Sequence, residues 1–187
     1  MKIRLSIAVL FTIILFSSCI KEETKQFNGN TVIEFDAAVL NTATTPYTYF
    51  VTTRVPVYGL TVSTANSPTL ITRSLATPVK LRVNLVGPQF STDQVINYQV
   101  ITPLPVPPNN TPVPVSPNML AVSGTHYTTG GTFTIPANSS FGEVTITIVN
   151  PGVSSTNPRE VHIELVGNTD IKPSENYKRV GIRISQT

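Results

Sequence analysis

The chain has 187 residues, with thirteen basic side chains against ten acidic, two histidines and one cysteine. Charged residues make up only 12%, and no dense Lys/Arg patch with interleaved aromatics occurs, so the electrostatic footprint of a nucleic-acid binder is missing. A single cysteine excludes an intramolecular disulfide.

Met1-Lys2-Ile3-Arg4 supplies two positive charges, and Leu5 to Phe16 is apolar except for Ser6 and Thr12. That pattern predicts a signal peptide over residues 1–18. The apolar run is shorter than the roughly 20 residues a spanning helix needs, and it ends in Ser17-Ser18 directly before Cys19. Phe16-Ser17-Ser18-Cys19 resembles a bacterial lipobox, which implies that Cys19 carries diacylglycerol and becomes the acylated N-terminus. Several acyl chains, at about 0.8 kcal/mol per buried methylene, would make the anchor effectively permanent. Lys21-Glu22-Glu23 resembles the export signal that sends lipoproteins of the Bacteroidota to the outer face of the outer membrane; a plain charged tether over residues 19–30 is the alternative. Cleavage removes Lys2 and Arg4, leaving eleven basic residues against ten acidic, a balance near +1.

The remaining chain of about 170 residues is the size of one domain, placed at residues 31–187. Its Thr, Val, Ile, Ser and Asn content favours strands. Short runs of period-2 alternation recur, and no stretch of ten residues shows helical periodicity beyond the signal peptide. In chain order the expected strands are Thr31 to Asp36, a Thr/Tyr/Val-rich stretch from Tyr47 to Ser63, Leu70 to Arg73, and Val79 to Val86. Val95 to Ile101, Gly131 to Ile135, Glu143 to Val149, Glu160 to Val166 and Tyr177 to Ser185 follow. Eight or nine strands in one domain imply two packed sheets, an all-β antiparallel β-sandwich.

Between them, Thr102 to Pro117 is so rich in proline that it cannot be a central strand. It is expected as an extended, polyproline-like loop over residues 102–118, either a stiff connection or a ligand for a proline-binding module. In the last two strands Val161, Ile163 and Leu165 alternate with Glu160, His162 and Glu164, while Val180, Ile182 and Ile184 alternate with Arg179, Gly181 and Arg183. An antiparallel register with Glu164 opposite Arg179 also sets Glu160 opposite Arg183 and His162 opposite Gly181. Opposite charges across a ladder contribute about 0.2 to 1 kcal/mol per pair, and a one-residue slip would bury them all. These charges therefore read as structural, on an exposed face.

Ser123-Gly124-Thr125-His126-Tyr127, then Gly131-Thr132-Phe133-Thr134-Ile135-Pro136-Ala137-Asn138, then Glu143-Val144-Thr145-Ile146-Thr147-Ile148 resembles the Calx-beta pattern, from about Gln94 to Ser185. The resemblance implies an immunoglobulin-like sandwich and a setting among Bacteroidota surface lipoproteins, some of them near glycan-uptake systems. It also brings calcium to mind. The family's aspartate before the tyrosine is His126 here, and the scattered acids do not supply the several converging carboxylates that calcium needs. No metal or cofactor is expected. His126 reads as a turn residue and His162 as an exposed strand residue.

No Gly-x-Ser-x-Gly elbow, phosphate loop or catalytic cysteine is present, so the domain is expected to be non-catalytic. A binding or adhesion module contacting a protein partner at the cell surface is the first reading, and a glycan-binding lipoprotein the second. For the second, Tyr47, Tyr49 and Tyr58, with Phe50, are the candidate platform; the alternative is that Tyr49 and Phe50 are ordinary strand residues, one facing the core.

Overall fold

A computed structural model describes residues 29–36, 47–58, 69–103, 119–150, 152 and 157–186. Ten strands follow in chain order: β1 (Val32–Phe35), β2 (Phe50–Thr52), β3 (Val79–Val86), β4 (Gln94–Ile101), β5 (Tyr127–Thr129), β6 (Thr132–Ile135), β7 (Phe141–Ile148), β8 (Arg159–Gly167), β9 (Lys172–Pro173) and β10 (Arg179–Ile184). They form two five-stranded sheets, ordered β5-β7-β3-β1-β9 and β2-β10-β8-β4-β6. The chain is an all-β sandwich.

The alternation in the sequence dictates which face turns inward. In β3, Val79, Leu81, Val83 and Leu85 are buried; in β7, Val144, Ile146 and Ile148 face them from the same sheet. Ile96, Phe133, Ile135, Ile163, Leu165, Val180, Ile182 and Ile184 close the core from the other sheet. Each fully buried aliphatic side chain contributes about 1.5 to 3 kcal/mol relative to exposure.

The register expected for the last two strands is the one observed: Arg179 pairs with Glu164, Gly181 with His162 and Arg183 with Glu160. The turn between β6 and β7 places Asn138 at φ 59°, the left-handed region that glycine and asparagine adopt most readily.

Four expectations change. The pairing is not wholly antiparallel, because β1 runs parallel to β9 and β2 parallel to β10. Within the stretch from Tyr47 to Ser63 only Phe50–Thr52 is a strand, with residues 59–63 outside the described residues. Leu70 and Thr72 form isolated bridges, to Arg54 and Ser185, rather than a strand. Finally, β5 and β9 are strands of three and two residues, too short to show a period.

The proline-rich segment lies outside the described residues from 104 to 118. Its flanks meet the same strand two residues apart, Ile101 opposite His162 and Leu120 opposite Glu160.

Candidate functional site: a threonine-lined groove beside a sealed tyrosine cluster

Tyr47 and Tyr49 do not form an exposed platform: they are 7% and 6% exposed. Phe50–Thr52 forms the edge of the second sheet beside β10, and the Tyr47 and Tyr49 side chains just before it cover the outer face, where Glu160 and His162 of β8 and Arg183 of β10 project. Gly181 makes the approach possible, since a Cβ there would stand 2.8 Å from Val51 Cγ2 and 2.9 Å from His162 Nδ1. The expectation of an exposed His162 is therefore corrected to full burial, and Glu160 is only 1% exposed.

Burial on this scale requires every polar atom to find a partner. Glu160 Oε2 accepts from the Tyr47 hydroxyl and lies 3.2 Å from His162 Nε2, while Oε1 accepts from Arg183 Nε at 2.6 Å. Tyr49 Oη lies 3.1 Å from His162 Nδ1. Burial raises the Glu160 pKa, but the hydrogen bonds from His162, Tyr47 and Arg183 together outweigh it and hold the group at about 2. An ionised carboxylate only accepts, so Nε2 of His162 carries a proton and donates it to Glu160. Burial pushes the Tyr49 hydroxyl up to about 12, and burial with the Glu160 bond raises Tyr47 further. The cluster is buried and fastens Tyr47 and Tyr49 to the outer face of the sheet.

Tyr58 is also structural. Its hydroxyl accepts from the Arg82 amide and donates to the Lys80 carbonyl at 3.1 Å. β1 reaches only as far as Val83 along β3, so Tyr58 satisfies the stretch of strand edge that β1 leaves open. His126 sits in a turn, where its Nδ1 accepts from the Val122 amide at 2.8 Å.

Cys19, Lys21, Glu22 and Glu23 lie outside the described residues. Among the described residues, no three His, Cys, Asp or Glu side chains group as a metal site requires.

A cavity of about 460 Å³ opens between β6 and β7, lined by Tyr98, Phe133, Gly130, Glu143 and the threonines 128, 129, 132, 134, 145 and 147. Its walls are strand edges. The Tyr98 amide donates to the Gly131 carbonyl at 2.9 Å. By the alternation of an antiparallel ladder, Gly131, Phe133 and Ile135 then bond to β4, and Thr132 and Thr134 turn their backbone groups away from it. On the other wall, the Leu85 amide donates to the Ser140 carbonyl at 2.8 Å, so Glu143 and Thr145 turn away from β3. β5 pairs only with residues 146–148 of β7. Thr129 Oγ1 donates to the Thr145 carbonyl at 3.2 Å and so accepts from the Tyr98 hydroxyl. Nothing in the sequence reading singled out these threonines, because which strands end a sheet is not written in their alternation.

No protein-family model matches the chain, and no curated protein does. Among the solved structures similar to it are the following three. The CBD1 domain of Calx in its apo form shares 11% identity at a TM-score of 0.47, covering 84% of this chain and 97% of that one. A two-domain protein of unknown function from Bacteroides fragilis shares 10% at a TM-score of 0.46, over 84% of this chain and 46% of that one. A candidate carbohydrate-binding protein from Bacteroides ovatus shares 7% at a TM-score of 0.38, over 59% of this chain and 31% of that one. The chain thus spans less than half of either Bacteroides protein.

Proposed function

We propose that the chain is a non-catalytic binding module, held to the outer membrane by acyl chains on Cys19 and facing the cell exterior, that recognises a protein partner through the threonine-lined groove. The observation that carries this is that β6, which ends the second sheet, and the part of β7 that β5 leaves uncovered line one cavity. Such edges offer backbone donors and acceptors to another polypeptide. A glycan site would be supported by grouped exposed aromatics, whereas Tyr47 and Tyr49 are buried and Tyr58 is committed to β3.

The test is a photoreactive side chain introduced at Thr134, on the groove, or at Lys172, on the far edge of the first sheet, in cells displaying the protein. A protein adduct from position 134 and none from 172 is expected. Polysaccharide binding that is lost on filling the groove with Thr145→Trp would overturn the protein-partner reading.

The anchor is checked separately. Cys19→Ala should abolish labelling by a palmitate analogue and leave an uncleaved precursor; normal maturation of that variant refutes acylation. With Lys21, Glu22 and Glu23 changed to alanine, the anchor should persist and digestion by protease added to whole cells should cease.

A further inference from the structure

We infer that the groove takes its partner by strand addition: an extended polypeptide segment bonds its backbone to the Thr132 carbonyl and the Thr134 amide of β6 and sets a basic side chain against Glu143. This rests on the groove being the recognition site and names the chemistry of what enters it.

The backbone comes first. β6 ends the second sheet, and the ladder to β4 uses Gly131, Phe133 and Ile135. The Thr134 carbonyl is closed off, since a Cβ on Gly142 would stand 2.7 Å from it. The Thr132 carbonyl turns away from β4 on the same edge, and a Cβ built on Gly130 would meet it at 3.9 Å, ordinary contact. What remains for a ligand is the Thr134 N–H and the Thr132 C=O, two groups on the same edge flanking Phe133. One residue of an added strand bridges such a pair, donating its N–H to one and accepting at its C=O from the other. Four residues of β6 extend about 13 Å, so the edge matches a segment of four or five residues.

Charge then selects the side chain. Among the described residues that line the cavity, Glu143 is the only charged one; the others are threonine, glycine, tyrosine or phenylalanine. Its partner Lys80, at 2.8 Å, is exposed, and an exposed pair of this kind contributes about 0 to 1 kcal/mol. An incoming lysine or arginine can therefore replace Lys80 at little cost, and an incoming carboxylate is repelled. The threonine walls accept small or β-branched neighbours.

A library of random octapeptides, selected against the full chain in detergent, tests this. Selected peptides should carry Lys or Arg at a fixed position and weaken at least roughly tenfold on Thr134→Pro, the equivalent of about 1.4 kcal/mol. Proline is compatible with the fold there because the Thr134 N–H faces away from β4. Thr134→Val keeps that N–H and should bind within about twofold of wild type, and Glu143→Lys should shift the selected residue to Asp or Glu. Should Thr134→Pro fail to fold, slowed hydrogen exchange of the Thr134 amide in the wild-type complex is the deciding measurement. Peptides that protect groove amides yet tolerate Thr134→Pro and leave the Thr134 amide unprotected overturn strand addition and leave the groove as the site. Peptides that protect only amides outside the groove, or no enrichment at all, overturn both.

Discussion

Glu160→Gln isolates the charge at the centre of the tyrosine cluster while keeping its shape. In the folded chain the Glu160 carboxyl is held at about 2 against an ordinary value of 4.5, and at 1.36 kcal/mol per pKa unit that gap is worth about 3 kcal/mol. The folded pKa is the lower one, so this stability is complete above pH 4.5 and is lost as pH falls towards 2. Glutamine cannot be an ionised acceptor for Arg183, Tyr47 and His162 together, so the variant should unfold about 3 kcal/mol more easily at pH 7, in line with other broken buried ion pairs. The assay is urea unfolding of both proteins from pH 7 to pH 2, followed by circular dichroism. The gap between them should shrink across the window from 4.5 to 2. A gap that stays constant across that window would refute the charge account and point to altered packing; no gap at pH 7 would refute the cluster's role in stability.

Gly181→Ala should force Val51 and His162 apart, costing about 1 to 3 kcal/mol as overpacking does; nitration of Tyr47 and Tyr49 by tetranitromethane, slow in the wild type, should become fast. Tyr58→Phe should cost about 1 to 2 kcal/mol, because two backbone groups of β3 lose their partner. Its signature is faster exchange of the Arg82 amide than of the Val83 amide, and equal change at both would mean global loosening.

The sandwich and the pairing of its last two strands were legible because burial on one face enforces period 2 and opposite charges fix the register. Glu160 opposite Arg183 follows from those two facts alone. The burial of the pair does not, because nothing in the alternation of β8 reveals that residues over a hundred positions upstream cover its outer face. The spacing of Tyr47 and Tyr49 carried half the signal: two tyrosines on one side of an extended chain need something to cover. Glu160 and His162, also two apart, were the matching polar pair, but only the parallel pairing of β2 with β10 brings the two together. The groove was hidden for a different reason. Its threonines are ordinary strand residues, and their availability depends on where each sheet ends, a property of topology.

That property also separates β6 from the other terminal strands. Exposed edges invite unwanted pairing, and natural sheets blunt them with short strands, lysine, proline or covering chain. β9 is two residues long and consists of Lys172 and Pro173. β2 has three residues, and the chain beyond it turns back in a bridge between Arg54 and Leu70. β5 also has three residues, and the Thr129 hydroxyl takes up the first carbonyl beyond its reach on β7. Tyr58 does the same for β3. β6 is four residues, Thr132-Phe133-Thr134-Ile135, with no lysine, no proline and, among the described residues, no strand hydrogen-bonded on its outer side, where Gly142 of β7 closes off only the Thr134 carbonyl. A chain that blunts its other edges and leaves β6 open beside a cavity has the arrangement expected where pairing with another polypeptide is the function.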